Sequence, residues 1–138
     1  MTKDAFGTVV EALARRDLTA AELEERLARA GFEPDARADA VARAADAGYL
    51  DDGRVACERA RSLAERDSSD AAIRTELGRR GVSEELVEAA LGAVTPEAER
   101  AKRLARRLGC GPRAARALAR KGFPDEVVER ATGLRIAE

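Results

Sequence analysis

Residues 13–32 read LARRDLTAAELEERLARAGF, and the same arrangement returns at 63–82 as LAERDSSDAAIRTELGRRGV and at 104–123 as LARRLGCGPRAARALARKGF. In each copy a glycine follows the opening leucine by 18 residues. The first two copies start 50 residues apart and the last two 41 apart. Because the internal frame is kept while the spacing between copies varies, the pattern indicates a structural repeat written three times.

The glycine of each copy is placed to end a helix. Directly after a helix, glycine takes the left-handed backbone conformation at little cost. In such a Schellman cap the residue after the glycine contacts the residue four before it. The sequence therefore predicts three caps: Leu27, Gly31 and Phe32; Leu77, Gly81 and Val82; Leu118, Gly122 and Phe123.

Helix starts fit these helix ends. Thr19 and Glu22 have the spacing of a capping box, in which each side chain satisfies a backbone N–H of the first turn. Ser69 stands twelve residues before Gly81, as Thr19 does before Gly31. Thr95 precedes a proline, which favours an N-cap residue followed by proline at the first helical position.

Each copy therefore reads as helix, turn, helix, glycine cap, helix. The expected helices are 4–16, 19–30 and 35–47, then 51–66, 69–80 and 83–93, then 96–108, 112–121 and 124–133. No stretch shows the period-two alternation of strands. The sequence predicts an all-α fold of three tandem three-helix repeats, 1–50, 51–94 and 95–138, forming an elongated, curved helical array. Because a unit of about 45 residues is marginally stable alone, we expect neighbouring repeats to share an interface, with hinging between them as the alternative.

Composition argues against an enzyme. The chain has no histidine and two isolated cysteines, Cys57 and Cys110, so nucleophile–histidine pairs and imidazole metal sites are excluded. No cofactor is expected. Asp51 and Asp52 could be read as a carboxylate pair, but their place before a helix favours N-capping.

We expect a monomer in the cytoplasm that does not enter a membrane. No apolar segment approaches the roughly 20 residues of a membrane span, and the first residues lack the apolar part of a secretory signal. Unpaired cysteines suit a reducing compartment. The net charge of −1 is unevenly distributed: residues 1–95 carry 14 Lys or Arg and 20 Asp or Glu, whereas residues 96–138 carry 11 and 6. The third repeat is therefore the basic one.

Several segments together resemble the RecX family of recombination regulators. They are 13–16 (LARR), 19–23 (TAAEL) with Leu27, Gly31 and Phe32, 48–54 (GYLDDGR), 73–74 (IR) with Glu76, Leu77, Gly81 and Val82, Leu86 with 89–91 (AAL), and Leu118 with 121–123 (KGF). The resemblance spans nearly the whole chain. It implies a protein that lies along the groove of a RecA-type recombinase filament on DNA and inhibits its ATPase, strand-exchange and co-protease activities. Asp51, Asp52 and Arg54 belong to its most characteristic segment.

Basic side chains of the third repeat are the candidate contacts with the filament or its DNA. They form two helical stripes with a neighbouring lysine: Arg100, Arg103 and Arg107; Arg113, Arg116 and Arg120; and Lys121. Such stripes suit DNA phosphates or an acidic protein surface, and the alternative is that they are solvated helix faces. Arg54 either pairs with Asp51 or faces the partner. Tyr49 is expected to pack in the core or between repeats, with its hydroxyl group exposed.

Two other functions remain open on the sequence. Compact three-helix units can present a recognition helix, so a stand-alone DNA-binding protein is the main rival. Its near-neutral net charge weighs against that reading. The other is a helical scaffold whose partner is unrelated to recombination.

Overall fold

The computed structural model describes residues 3–136 and builds them from nine α-helices without strands. The helices are α1 (Ala5–Arg15), α2 (Ala20–Arg29), α3 (Pro34–Asp46), α4 (Asp52–Glu65), α5 (Asp70–Arg79), α6 (Glu84–Gly92), α7 (Glu97–Arg107), α8 (Pro112–Arg120) and α9 (Asp125–Thr132). Each lies within two residues of its predicted bounds, which is the usual uncertainty of helix ends. The all-α repeated fold is confirmed.

All three cap glycines adopt the left-handed conformation, with φ of 92° at Gly31, 83° at Gly81 and 97° at Gly122. The residue after each glycine donates its N–H to the leucine carbonyl five positions earlier, at 3.1–3.2 Å. Each glycine N–H in turn reaches the carbonyl three residues earlier at 3.0 Å. These two bonds define the Schellman motif, so the same local chemistry ends α2, α5 and α8.

Three N-cap side chains expected from the sequence start their helices, Ser83 starts α6 in the same way, and one expected N-cap does not. Thr19 and Glu22 form the complete capping box of α2, while Ser69, Ser83 and Asp51 each accept a bond from the first turn of their own helix. The assignment of Thr95 as an N-cap is wrong by one residue. Pro96 holds that position, and the Thr95 carbonyl accepts a side-chain bond from Arg100 instead.

Every repeat has its own small core. Three clusters of buried side chains, one for each consecutive helix triplet, consist mainly of alanine and leucine. Leu23 and Leu27 of α2, Ile73 and Leu77 of α5, and Leu118 of α8 have no exposed surface. At roughly 1.5–3 kcal/mol for each fully buried large side chain, one repeat gains little beyond the entropy lost on ordering.

Four large apolar side chains between residues 3 and 136 lie on the surface instead of in a core: Val10, Tyr49, Leu108 and Ile136. Tyr49 is 51% exposed and lies over a shallow cavity of about 340 Å³ with Val10 and Leu13, so its expected core placement is wrong. Leu108 is 45% exposed at the end of α7, because the helix closes there and the chain turns through Gly109 and Cys110. Val10 lies on the outer edge of α1.

Hydrogen bonds, more than helix-to-helix packing, join consecutive repeats. At the first interface, between repeats one and two, Thr19 Oγ1 donates to the Arg80 carbonyl at 2.6 Å and Ala20 N–H donates to Asp52 Oδ1 at 2.9 Å. At the second interface, Ser69 Oγ donates to the Lys121 carbonyl at 2.8 Å. There Asp70 N–H donates to Glu97 Oε2, also at 2.8 Å. Both interfaces thus contain the same two kinds of hydrogen bond, one from a hydroxyl group to a carbonyl and one from a first-turn N–H to a carboxylate.

Candidate functional site

Arg100 is not available to a partner. Its side chain is 1% exposed, and its Nε donates to the Thr95 carbonyl at 2.8 Å. The guanidinium also bonds the Ser68 carbonyl and the Asp70 carboxylate across the second interface. A buried arginine with these partners holds two repeats together, so the structure corrects its assignment as a surface contact.

Arg103 is also committed to the second interface. Its Nε donates to Asp67 Oδ1 at 2.8 Å, and its Nη2 reaches the Ala64 carbonyl at 3.1 Å. Asp67 is fully buried and has a φ of 59°, in the left-handed region that aspartate tolerates better than most residues. A buried carboxylate needs such a partner, because an unpaired one would be costly to bury.

Arg107 and Lys121 contribute to the interface while remaining accessible. Arg107 Nη1 lies 3.2 Å from Asp67 Oδ2, although 64% of the arginine side chain is exposed. Asp67 Oδ2 accepts no hydrogen bond, so this contact is ionic. Lys121 Nζ donates to the Arg66 carbonyl at 3.1 Å. Both cations keep donors that face solvent.

The exposed face of α8 carries three basic side chains of the third repeat that have no partner among residues 3–136. Arg113, Arg116 and Arg120 are exposed and make no ion pair or hydrogen bond with any residue between 3 and 136. Arg113, Arg120 and Arg107 line an open cleft of about 370 Å³, whose remaining walls are Leu108 and Ala117. Arg116 lies outside this cleft. Of the seven basic candidates, the structure therefore brings three together around one cleft.

The characteristic segment 51–54 serves the first interface. Asp51 caps α4 by accepting from Arg54 N–H at 3.0 Å, whereas Asp52 accepts from the first N–H of α2. The Arg54 guanidinium lies 3.5 Å from Asp17 of the first repeat. The side chain of Arg54 thus pairs with Asp17 instead of Asp51, and its contact with a partner stays a prediction.

A partly buried ion pair strengthens the first interface. Arg80 donates to both oxygens of Glu22, at 3.0 and 3.1 Å. Burial raises the pKa of Glu22, but the bonds from Arg80 and from Thr19 N–H outweigh it and leave the pKa below its ordinary value. Glu22 is consequently ionised at neutral pH, so the capping box and the interface share one charged carboxylate.

The partners across the interfaces could not be read from the sequence. Thr19 and Ser69 were found as helix caps, but their bonds to the next repeat join residues 61 and 52 positions apart. One sequence signal for these interfaces does exist: α4 and α7 each begin with an acidic residue, Asp52 and Glu97 respectively. Each of these carboxylates accepts from the first N–H of the preceding repeat's second helix.

Other kinds of site find little support in this geometry. Within 3–136, no three His, Cys, Asp or Glu side chains are grouped as metal ligands would be. No helix in that part of the chain is long and apolar enough to cross a membrane. Cys57 is half-buried and Cys110 is exposed, both as free thiols.

The fold and its interfaces define an all-helical tandem-repeat protein with a basic third repeat. Two family models match its sequence: "RecX, first three-helix domain" over 5–43 and "RecX, second three-helix domain" over 51–91. Together they cover more than half of the chain. The chain belongs to the RecX family.

Curated relatives agree with this family, and solved structures share the fold. Proteins named "Regulatory protein RecX" from Chromohalobacter salexigens and Xanthomonas axonopodis pv. citri are 40% and 41% identical over 88 and 81 residues, or 64% and 59% of this chain. The matched regions span 58% and 50% of those relatives. Two crystal structures, of "regulatory protein RecX" and of "RecX from Lactobacillus salivarius", superpose with TM-scores of 0.77 and 0.80 at 22% and 19% identity. Each covers 94% of this chain, and 70% and 92% of the solved chains are matched.

Proposed function

We propose that this protein is a non-enzymatic regulator that binds RecA-type recombinase filaments on DNA and mainly inhibits their ATPase, strand-exchange and co-protease activities. Membership of the RecX family carries the proposal, since the relatives are named regulatory proteins. The partner is a RecA-type recombinase in the cytoplasm. The regulator acts as a monomer.

The use of its polar side chains supports a binding role. Four charged side chains connect the repeats: Arg100, Arg103, Glu22 and Arg80. The sequence also has no histidine that could act as a general base near neutral pH. A protein that commits its buried charges to the interfaces between repeats presents a shaped surface to a partner. Such extended repeat surfaces are suited to long, regular targets.

The surface that we expect to face the filament consists of four arginines and a neighbouring lysine: Arg107, Arg113, Arg116, Arg120 and Lys121. Their charges are exposed, and the cleft between three of them could receive a phosphate or a carboxylate. The uncommitted arginines of α8 also favour one specific rival, a protein that binds DNA without a recombinase. A scaffold with a different partner would use the same repeats.

Binding to three targets distinguishes these functions. Labelled protein is titrated with recombinase filaments assembled on single-stranded DNA, with the same DNA alone, and with recombinase in the absence of DNA. We expect the tightest binding to the filament. Equal affinity for bare DNA would favour the DNA-binding rival, and binding to none of the three would leave only a scaffold with another partner.

A further inference from the structure

An arginine stands two residues before the cap glycine in every repeat. These arginines are Arg29, Arg79 and Arg120, the last helical residues of α2, α5 and α8. All three are exposed. Arg79 and Arg120 have no ion pair or hydrogen bond in the part of the chain that the structure describes. Arg29 lies 4.0 Å from Glu25, with more than 70% of both side chains in solvent, a contact worth very little.

The repeat interfaces place these arginines along one side of the molecule. Arg79 and Arg120 line the same open cleft of about 460 Å³ between the second and third repeats, together with Thr75 and Lys121. Glu76 also lines this cleft, but its carboxylate is held by Arg59. The second interface therefore brings two equivalent arginines of consecutive repeats to one surface.

The first interface repeats this arrangement. A Cβ placed on Gly81 would meet the Cβ of Ala21 at 2.3 Å, and one on Gly122 would lie 3.8 Å from that of Ala71. Ala21 and Ala71 occupy the same position after the N-caps of α2 and α5. Because equivalent residues meet at both interfaces, we expect Arg29 and Arg79 to have the same relative position across the first interface as Arg79 and Arg120 have across the second. The three arginines form a row with one member per repeat.

The row is extended within the third repeat. Arg120 lines two clefts, the one shared with Arg79 and the one shared with Arg107 and Arg113. Arg113 and Arg120 are seven residues apart on α8 and thus lie on the same helix face. The contact with Asp67 holds Arg107 at the edge of its cleft and leaves its other donors free.

We infer that Arg29, Arg79, Arg120 and Arg113 form a track for the phosphates of a nucleic-acid backbone, crossing both repeat interfaces. This inference deepens the proposed function and rests on it for the setting, a filament that contains DNA. Cations recurring once per repeat suit a polymer whose charges recur at regular intervals, and guanidinium groups bind phosphate oxygens in a bidentate manner. Neither of these two clefts is lined by an aromatic side chain on which a base could stack. The contact is therefore with the backbone and independent of base sequence.

The salt dependence of DNA binding by the full chain tests this track without any recombinase. A labelled oligothymidylate is titrated by fluorescence anisotropy over a series of salt concentrations. For single strands, log K falls linearly with log salt concentration, and the magnitude of this negative slope decreases by about 0.7 for each lost phosphate contact. We expect that decrease for Arg29→Gln, Arg79→Gln and Arg120→Gln, each measured separately, with unchanged helicity.

Arg130→Gln is the matched control. Arg130 is an exposed arginine in the last turn of α9, so its loss changes net charge and the helix terminus in the same way, but it lines neither cleft. The control should keep the wild-type slope. An equal decrease in the control, no decrease for Arg79→Gln, or no measurable DNA binding by the wild type would overturn the track.

A glutamate-rich peptide is the second probe. If it binds as tightly as the oligonucleotide and depends on the same arginines, the surface recognises acidic protein and the phosphate assignment fails. Filament inhibition is measured separately, so failure of the track does not decide the proposed function. Conversely, a chain that tracks DNA without inhibiting a recombinase would keep the track and lose the proposed function.

Discussion

Thr19 and Ser69 each make two bonds with one hydroxyl group. The oxygen accepts from a backbone N–H of its own helix at 3.1 Å, and the hydroxyl donates to a carbonyl of the next repeat. Both side chains are fully buried, so water cannot reach their hydroxyl groups and these protein partners satisfy them instead. A single small side chain consequently starts a helix and fixes the position of the following repeat.

Two capping serines of the second repeat allow the interface bond to be measured. Ser83→Ala removes only the cap of α6, whose bond to Leu86 N–H is 3.3 Å long, and should cost about 1 kcal/mol. Ser69→Ala removes a cap and also leaves the Lys121 carbonyl without its donor, so we expect a cost about 1 kcal/mol larger. Chemical denaturation of both variants gives the difference. Equal losses would mean that the interface bond contributes nothing to stability.

Helices, turns and caps could be predicted from the sequence because their causes are local. A left-handed glycine and its leucine are five residues or fewer apart, and the capping box of α2 spans four residues. The second interface could not be predicted, since Arg100 looks like any other member of a basic stripe until Ser68 and Asp70 are placed beside it. Arg100 and Arg103 are therefore interface residues, whereas Arg79, which the sequence does not single out, lies on the exposed surface.

Gly31 and Gly81 have the same backbone conformation but different surroundings. An added Cβ at Gly31 meets nothing within 4 Å, whereas at Gly81 it collides with Ala21 of the first repeat. Gly31→Ala should therefore cost only the left-handed penalty of about 1–2 kcal/mol. Gly81→Ala should lower the free energy of unfolding by more than Gly31→Ala does, and it should lower the melting temperature further.

A double-mutant cycle isolates the collision between repeats. Adding Ala21→Gly removes the Cβ that is struck, so its combination with Gly81→Ala should be less destabilising than the sum of the two single changes. The combination with Gly31→Ala should be additive within about 0.5 kcal/mol. Additivity in both pairs would indicate that the first and second repeats are not in contact at this point in solution.

The whole molecule consists of three marginal cores that two interfaces join into one array, and both interfaces contain the same two kinds of hydrogen bond. Each interface uses a hydroxyl group, a first-turn carboxylate and at least one arginine–carboxylate pair, so the repeats support one another where no single core suffices. The same interfaces align exposed arginines that no repeat could align alone. Stability and the proposed binding surface thus depend on the same contacts.

Inhibition of a recombinase is the property on which this account depends most directly. The single-stranded-DNA-dependent ATPase of the cognate RecA-type recombinase is measured while this protein is added at ratios well below one per recombinase subunit. We expect the ATPase rate to fall markedly at these ratios, because one regulator bound along a filament affects many subunits. An ATPase rate that stays unchanged up to equimolar protein would contradict the account.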